Sequence, residues 1–175
     1  MLATPPKYQP AKPCNLPKTE IEGIAATVAA KLDFEIGGDV TELVSKLGGT
    51  ISYLRRDEWL EHEMDTIIIQ GPRDFEIKLL SSAGPLRQNF TIAHELGHYI
   101  LHSRSGKVAP IMAGRKGSTR VEWEANWFAA SLLMPEKTFK EWARKSGVRD
   151  LTLSGVFGVS LEAVQVRKQA LNLSA

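Results

Sequence analysis

One cysteine, Cys14, occurs in 175 residues, so no disulfide can form within the chain. Long apolar runs are also missing. No stretch approaches the roughly 20 residues that span a bilayer, which argues against a membrane protein. The first 18 residues carry five prolines and no apolar core segment, so they do not read as a signal peptide. A dominant charge is lacking too: 22 basic against 20 acidic residues leave +2. That balance disfavours binding to nucleic acid through bulk charge. Together these absences predict a soluble cytoplasmic protein with no membrane partner.

What is present divides into three parts. Residues 1–18 are expected to be a flexible, extended, Pro-rich arm, because proline removes backbone donors and breaks helices. Residues 19–149 form the main domain, and 150–175 a helical C-terminal segment. Helices are expected at 19–33, with Thr19 and Glu22 spaced as a capping box, and at 39–46. Three strand-like runs follow, Thr50–Arg55, Thr66–Gln70 and Phe75–Leu80. The segment 104–119 reads as a loop, and His62 as a solvated loop residue. Further helices are expected at 86–103, 120–133, 136–146, 150–157 and 160–171. The fold class is therefore α+β, with a small twisted sheet of about three strands.

Within the 86–103 helix, His94-Glu95-Leu96-Gly97-His98 carries the chemistry. Two histidines four residues apart share a helix face and can reach one ion. Glu95 lies about 100° round the helix from His94, placed to act as a general base rather than as a ligand. Phe90, Ile92, Ala93, Leu96, Ile100 and Leu101 surround the pair, so the helix belongs in a core. Two imidazoles and a carboxylate buried there need compensation, and a metal supplies it. The competing reading is two core histidines bonded to carbonyls. His102 stands about 12 Å along the helix from His94, too far to share the ion. It is expected as a partner behind the ligands or at the helix end.

A catalytic zinc takes three protein ligands, and no suitable histidine remains. The 120–133 helix offers Glu122 and Glu124, which point about 160° apart. Glu124 is chosen because Val121, Trp127 and Phe128 flank it, and a buried lone carboxylate needs a cation. The competing reading pairs Glu124 with an arginine such as Arg87 or Arg120. Manganese or iron also suits a two-His, one-carboxylate set.

At Arg87-x-x-Phe90-Thr91-x-Ala93-His94-Glu95-Leu96-Gly97-His98 and Glu124-Ala125-Asn126-x-Phe128-Ala129-Ala130-x-Leu132-Leu133-Met134-Pro135, the chain resembles the ImmA/IrrE metallopeptidases. The resemblance implies a gluzincin-like fold, with the sheet packed on the active-site helix. It implies His94, His98 and Glu124 as ligands of one catalytic zinc, and Glu95 as base. It also implies a protein substrate, a helix-turn-helix repressor of phage, mobile-element or stress genes. Tyr99, Arg87 and Tyr53 are candidates for stabilising the oxyanion, and strand 75–80 for binding substrate.

The C-terminal segment looks like a helix-turn-helix. Gly158 makes the turn, and Ser160 caps a helix bearing Gln165, Arg167, Lys168 and Gln169. Its reading as a DNA-binding element competes with that of a cap on the main domain. The cap is preferred, because Val159, Leu161, Val164 and Leu171 need a core to pack on. The rival for the whole chain is a DNA- or protein-binding regulator in which zinc is structural or vestigial.

Overall fold

Prolines, glycines and capping side chains set most element boundaries in the computed structural model, which describes residues 7–61, 66–114 and 119–173. A two-residue strand β1 (Gln9–Pro10) precedes helices α1 (Lys18–Lys31) and α2 (Val40–Lys46). Strand β2 (Gly49–Leu54), a short helix α3 (Arg56–Glu61) and strands β3 (Thr66–Gly71) and β4 (Asp74–Leu80) follow. Helix α4 (Pro85–Gly97) continues into a π-helical turn, His98–His102. Then come β5 (Ile111–Gly114), α5 (Arg120–Leu133), α6 (Glu136–Ala143), α7 (Asp150–Phe157) and α8 (Leu161–Ala170).

Local chemistry explains the starts. Pro85 occupies the first turn of α4, where its missing N–H costs nothing. Thr119 caps α5 by accepting from the Glu122 N–H, and Ser160 caps α8 through Ala163. At α1 the expected Thr19 cap is absent. The helix begins at Lys18 behind Pro17, without a side-chain cap. No described helix is long and apolar enough to cross a membrane.

The protein is α+β, with a mixed five-stranded sheet in the order β1-β5-β3-β4-β2. The three strands read from the sequence are present, and β1 and β5 are additional. Both were missed because they are short and lie in Pro- and Gly-rich stretches, where alternation has no length over which to show. Strand β4 pairs with β2 on one side and β3 on the other. Its backbone is fully engaged, so it cannot take an added substrate strand as expected. Ile67, Ile69, Phe75, Ile77 and Leu79 join Ile92, Ala93 and Leu96 of α4 in one core.

Residues 8–17 of the expected arm make specific contacts with the main body. Gln9 and Pro10 pair in parallel with Ile111 and Met112, and the Gln70 amide donates to the Tyr8 hydroxyl at 2.8 Å. Proline forbids helix here, but an edge position needs no N–H from Pro10. Residues 1–6, His62 and the Arg115-Lys116 pair lie outside the described residues.

The C-terminal helices lie on the main body. Phe157, Val159 and Val164 are completely buried, whereas Leu161 is 45% exposed. Gly158 ends α7 in the left-handed conformation at φ 64°, and its carbonyl accepts from the Asn89 side chain of α4 at 2.9 Å. Arg167 turns inward, 3% exposed, and its Nε donates to the Met134 carbonyl at 3.0 Å. Lys168 pairs with Asp150 at 3.0 Å.

Gly97 decides how closely α4 meets α5. A Cβ there would lie 3.1 Å from the Ala125 Cα and 3.2 Å from its carbonyl oxygen. Both are backbone atoms and cannot rotate away. Gly97→Leu is expected to push α5 outward and to destabilise the fold by about 1–3 kcal/mol, the usual cost of overpacking. Chemical denaturation measures this. Unchanged stability would mean that the two helices are free to separate.

Candidate metal centre

The close approach at Gly97 brings two helix faces together. Residues 94 and 98 on α4 and its π turn face residue 122 on α5. His94, His98 and Glu122 are each buried, and one ligand atom from each lies within 4.8 Å of the others. The Nε2 atoms of His94 and His98 are 3.1 Å apart. The Glu122 carboxylate stands 3.2 Å from His94 Nε2 and 3.5 Å from His98 Nε2.

Outer hydrogen bonds orient both rings. His94 Nδ1 lies 2.9 Å from the Asn126 side-chain oxygen. That oxygen only accepts, so Nδ1 carries the proton and Nε2 presents its lone pair inward. His98 Nδ1 lies 2.9 Å from His102 Nδ1, and His102 Nε2 lies 3.0 Å from Glu124 Oε2. If His98 likewise carries its hydrogen on Nδ1, toward His102, two lone pairs and a carboxylate face one another. Such a set repels itself unless a cation holds it. Two imidazoles and a carboxylate suit zinc, manganese or iron, so the residues present fit a divalent ion.

Glu124, the third ligand expected from the sequence, stands outside this set, and Glu122 takes its place beside the histidines. Its carboxylate is fully buried but is met from every side. It accepts from the Cys14 and Asn15 backbone N–H groups at 2.8 Å each. It also accepts from Arg120 Nε at 2.8 Å and His102 at 3.0 Å. Burial alone would raise its pKa. The Arg120 guanidinium, the Cys14 contacts and His102 together outweigh burial and hold the carboxyl below its usual range. The sequence reading took burial as a sign of metal ligation, but an arginine and the arm's backbone supply the compensation. The signal is legible in part: Arg120 is one helical turn before Glu124, the arginine pairing that competes with ligation in the sequence.

The remaining candidates are spread out. Glu95 follows His94 on α4 and is fully buried. His102 is buried behind His98, its ring 4.9 Å from that of His98, and burial lowers its pKa. Tyr99 stacks on Phe75 at 4.1 Å, and its hydroxyl accepts from the Arg73 N–H at 3.0 Å. Tyr99 therefore anchors the β3–β4 turn. Tyr53 is 53% exposed on β2, an outer strand of the sheet. Arg87 is exposed in the first turn of α4, about 10 Å of helix rise before His94. Sequence reasoning missed Asn126, which follows Glu124-Ala125 and lies one helical turn from Glu122 on α5. Its signal was the i,i+4 spacing to Glu122.

Comparison with known proteins gives concordant results. The family described as Peptidase_M78, IrrE N-terminal-like domain, matches residues 76–168. The chain is similar to the metallopeptidase ImmA of Bacillus subtilis (strain 168), 37% identical over 54 residues, covering 31% of this chain and 32% of that protein. It is also similar to the radiation response metalloprotease IrrE of Deinococcus radiodurans, 29% identical over 133 residues, covering 74% of this chain and 38% of that protein. The matched part thus spans about a third of each relative's length.

Proposed function

Because this chain belongs to the IrrE N-terminal-like domain family of metallopeptidases, we propose that it is a metal-dependent endopeptidase with His94, His98 and Glu122 as ligands and Glu95 as general base. The observation that carries this reading is the convergence of two imidazoles and one carboxylate, all buried, beside an intact Glu95. Zinc is the preferred ion, with manganese or iron as alternatives. When bound, the ion supplies Lewis acidity toward a water molecule and the scissile carbonyl.

The protein's own residues do the rest. Asn126 and His102 hold the rings of His94 and His98 with Nε2 facing inward. Glu95 takes the proton that water gives up, holds it on its carboxylate, and delivers it to the departing amide nitrogen. Ile92, Ala93 and Leu96 pack α4 into the core, and low-dielectric surroundings strengthen each polar contact within. We propose a protein substrate of the helix-turn-helix repressor class, acted on in the cytoplasm. The rival reading of α8 as a DNA-reading helix has less support. Its Arg167 is buried against Met134, and its Lys168 is paired with Asp150.

Metal removal tests the proposal. The ligands come from two elements, α4 with its π turn and α5, so the ion ties them together. Dialysis against a chelator should lower the melting temperature and abolish cleavage of an added purified repressor, and zinc should restore both. Full cleavage by metal-free protein would sink the proposal.

A further inference from the structure

Behind the His94–His98–Glu122 set stands a second group of potential ligands. Cys14, His102 and Glu124 also bring ligand atoms within 4.8 Å of one another. Cys14 and His102 line a cavity of about 630 Å³, together with Lys12, Ile24, Ile100 and Arg104. By donor type alone this would pass for a second ion site, since thiolate, imidazole and carboxylate suit zinc.

Hydrogen-bond order decides otherwise. The Nδ1 atoms of His98 and His102 are 2.9 Å apart, and such a contact holds one proton. An ion on His98 Nε2 requires that proton to sit on His98 Nδ1. His102 Nδ1 must then be the acceptor. A neutral imidazole with a free Nδ1 carries its hydrogen on Nε2, and His102 Nε2 faces the Glu124 carboxylate at 3.0 Å. An ion on His102 Nε2 would put a hydrogen on its Nδ1 instead, so that two N–H groups would collide. Neutral rings thus allow one ion at the two clusters, not two.

We propose that Glu124 and His102 are positioning residues that fix the tautomer and orientation of His98, and that the arm completes this chain by holding Glu124 through the Cys14 and Asn15 backbone N–H groups. The inference rests on His94, His98 and Glu122 being the ligands. The order of donation runs from His98 Nδ1–H to His102 Nδ1, and from His102 Nε2–H to Glu124. Glu124 in turn is fixed by Arg120 Nε and by the two arm N–H groups, each at 2.8 Å. Arg120 is itself tied to the arm, its NH2 group donating to the Leu16 carbonyl at 2.7 Å. A segment more than 100 residues away in sequence therefore bears on the geometry of the ion site. Outer partners of this kind typically change metal affinity 10–100-fold.

The test is zinc affinity of the full chain, measured by competition with a chromogenic chelator. His102→Leu should weaken binding roughly 10–100-fold. His102→Gln, whose amide oxygen can accept from His98 Nδ1, should recover most of that loss. Cys14→Ala should weaken binding less than His102→Leu, because it removes the thiol contact with Glu124 but leaves the backbone donor. Cobalt should load one ion per chain without a thiolate charge-transfer band. Parental affinity in His102→Leu, or equal loss in the Leu and Gln variants, would overturn the inference. So would two cobalt ions per chain with a thiolate band that Cys14→Ala removes. If the His102 variants do not fold, nitrogen-resolved NMR of the parental histidines decides: His102 must carry its hydrogen on Nε2 and His98 on Nδ1, and the reverse assignment refutes the chain. Glu122→Gln serves as the control. If it keeps parental zinc affinity, the ligand set beneath this inference is wrong, whatever the His102 variants show.

Discussion

Glu95→Gln is expected to bind zinc as the parental protein does and to lose peptide cleavage almost completely. The change keeps the volume of the side chain, so the buried position on α4 should stay filled. It removes the capacity to accept a proton. General acid–base catalysis is worth about 10²–10⁴-fold. The loss should exceed that if the same carboxylate both activates water and protonates the leaving nitrogen. The measurement is turnover on the co-expressed repressor or a peptide cut from it, beside metal content of the same preparation. Cleavage at more than a tenth of the parental rate would remove Glu95 from the mechanism. Loss of metal together with activity would make its role structural.

The second large effect separates the two glutamates of α5. Glu122→Ala should leave two imidazoles facing each other without their carboxylate and should empty the site at ordinary zinc concentrations. Glu124→Ala should lower affinity by a smaller factor, within the roughly 10–100-fold range of outer partners, and should lower stability as well. Four hydrogen bonds converge on that carboxylate. Removing it leaves Arg120 without its partner and two arm N–H groups without an acceptor. Breaking such a buried arrangement costs about 3–5 kcal/mol. The two variants should thus differ in kind: one metal-free and melting like chelated parental protein, the other still able to bind and destabilised even when compared metal-free with metal-free. Metal analysis and thermal melting of both decide. If Glu124→Ala empties the site and Glu122→Ala does not, the ligand assignment drawn from the geometry is reversed.

His94, Glu95 and His98 were legible in the sequence because their relation is local. Helical period alone puts residues 94 and 98 on one face, and the apolar neighbours Ile92, Ala93 and Leu96 show that this face is buried. The α-helices from 120 onward were legible for the same reason, through caps such as Thr119 and Ser160 and stops such as Gly158. Strands β2, β3 and β4 showed in their Ile- and Leu-rich runs. Strand β5 did not, since four residues in a glycine-bearing stretch carry no period.

Tertiary structure decided which glutamate faces the histidines. Both glutamates of α5 are buried, Glu122 at 7% and Glu124 at 0% exposure, so burial could not choose between them. The choice depends on which side of α5 faces α4, and that is set by Gly97 lying against Ala125. It depends equally on the arm, whose N–H groups reach Glu124 from residues 14 and 15. Those contacts join positions 28 and about 110 residues apart, and no periodicity within one helix encodes them. The sequence by itself determined that two histidines and an adjacent glutamate sit together on a buried helix. Only the packing of α4, α5 and the arm determined which carboxylate stands beside the two histidines, because facing direction is a property of two surfaces in contact and not of either one alone.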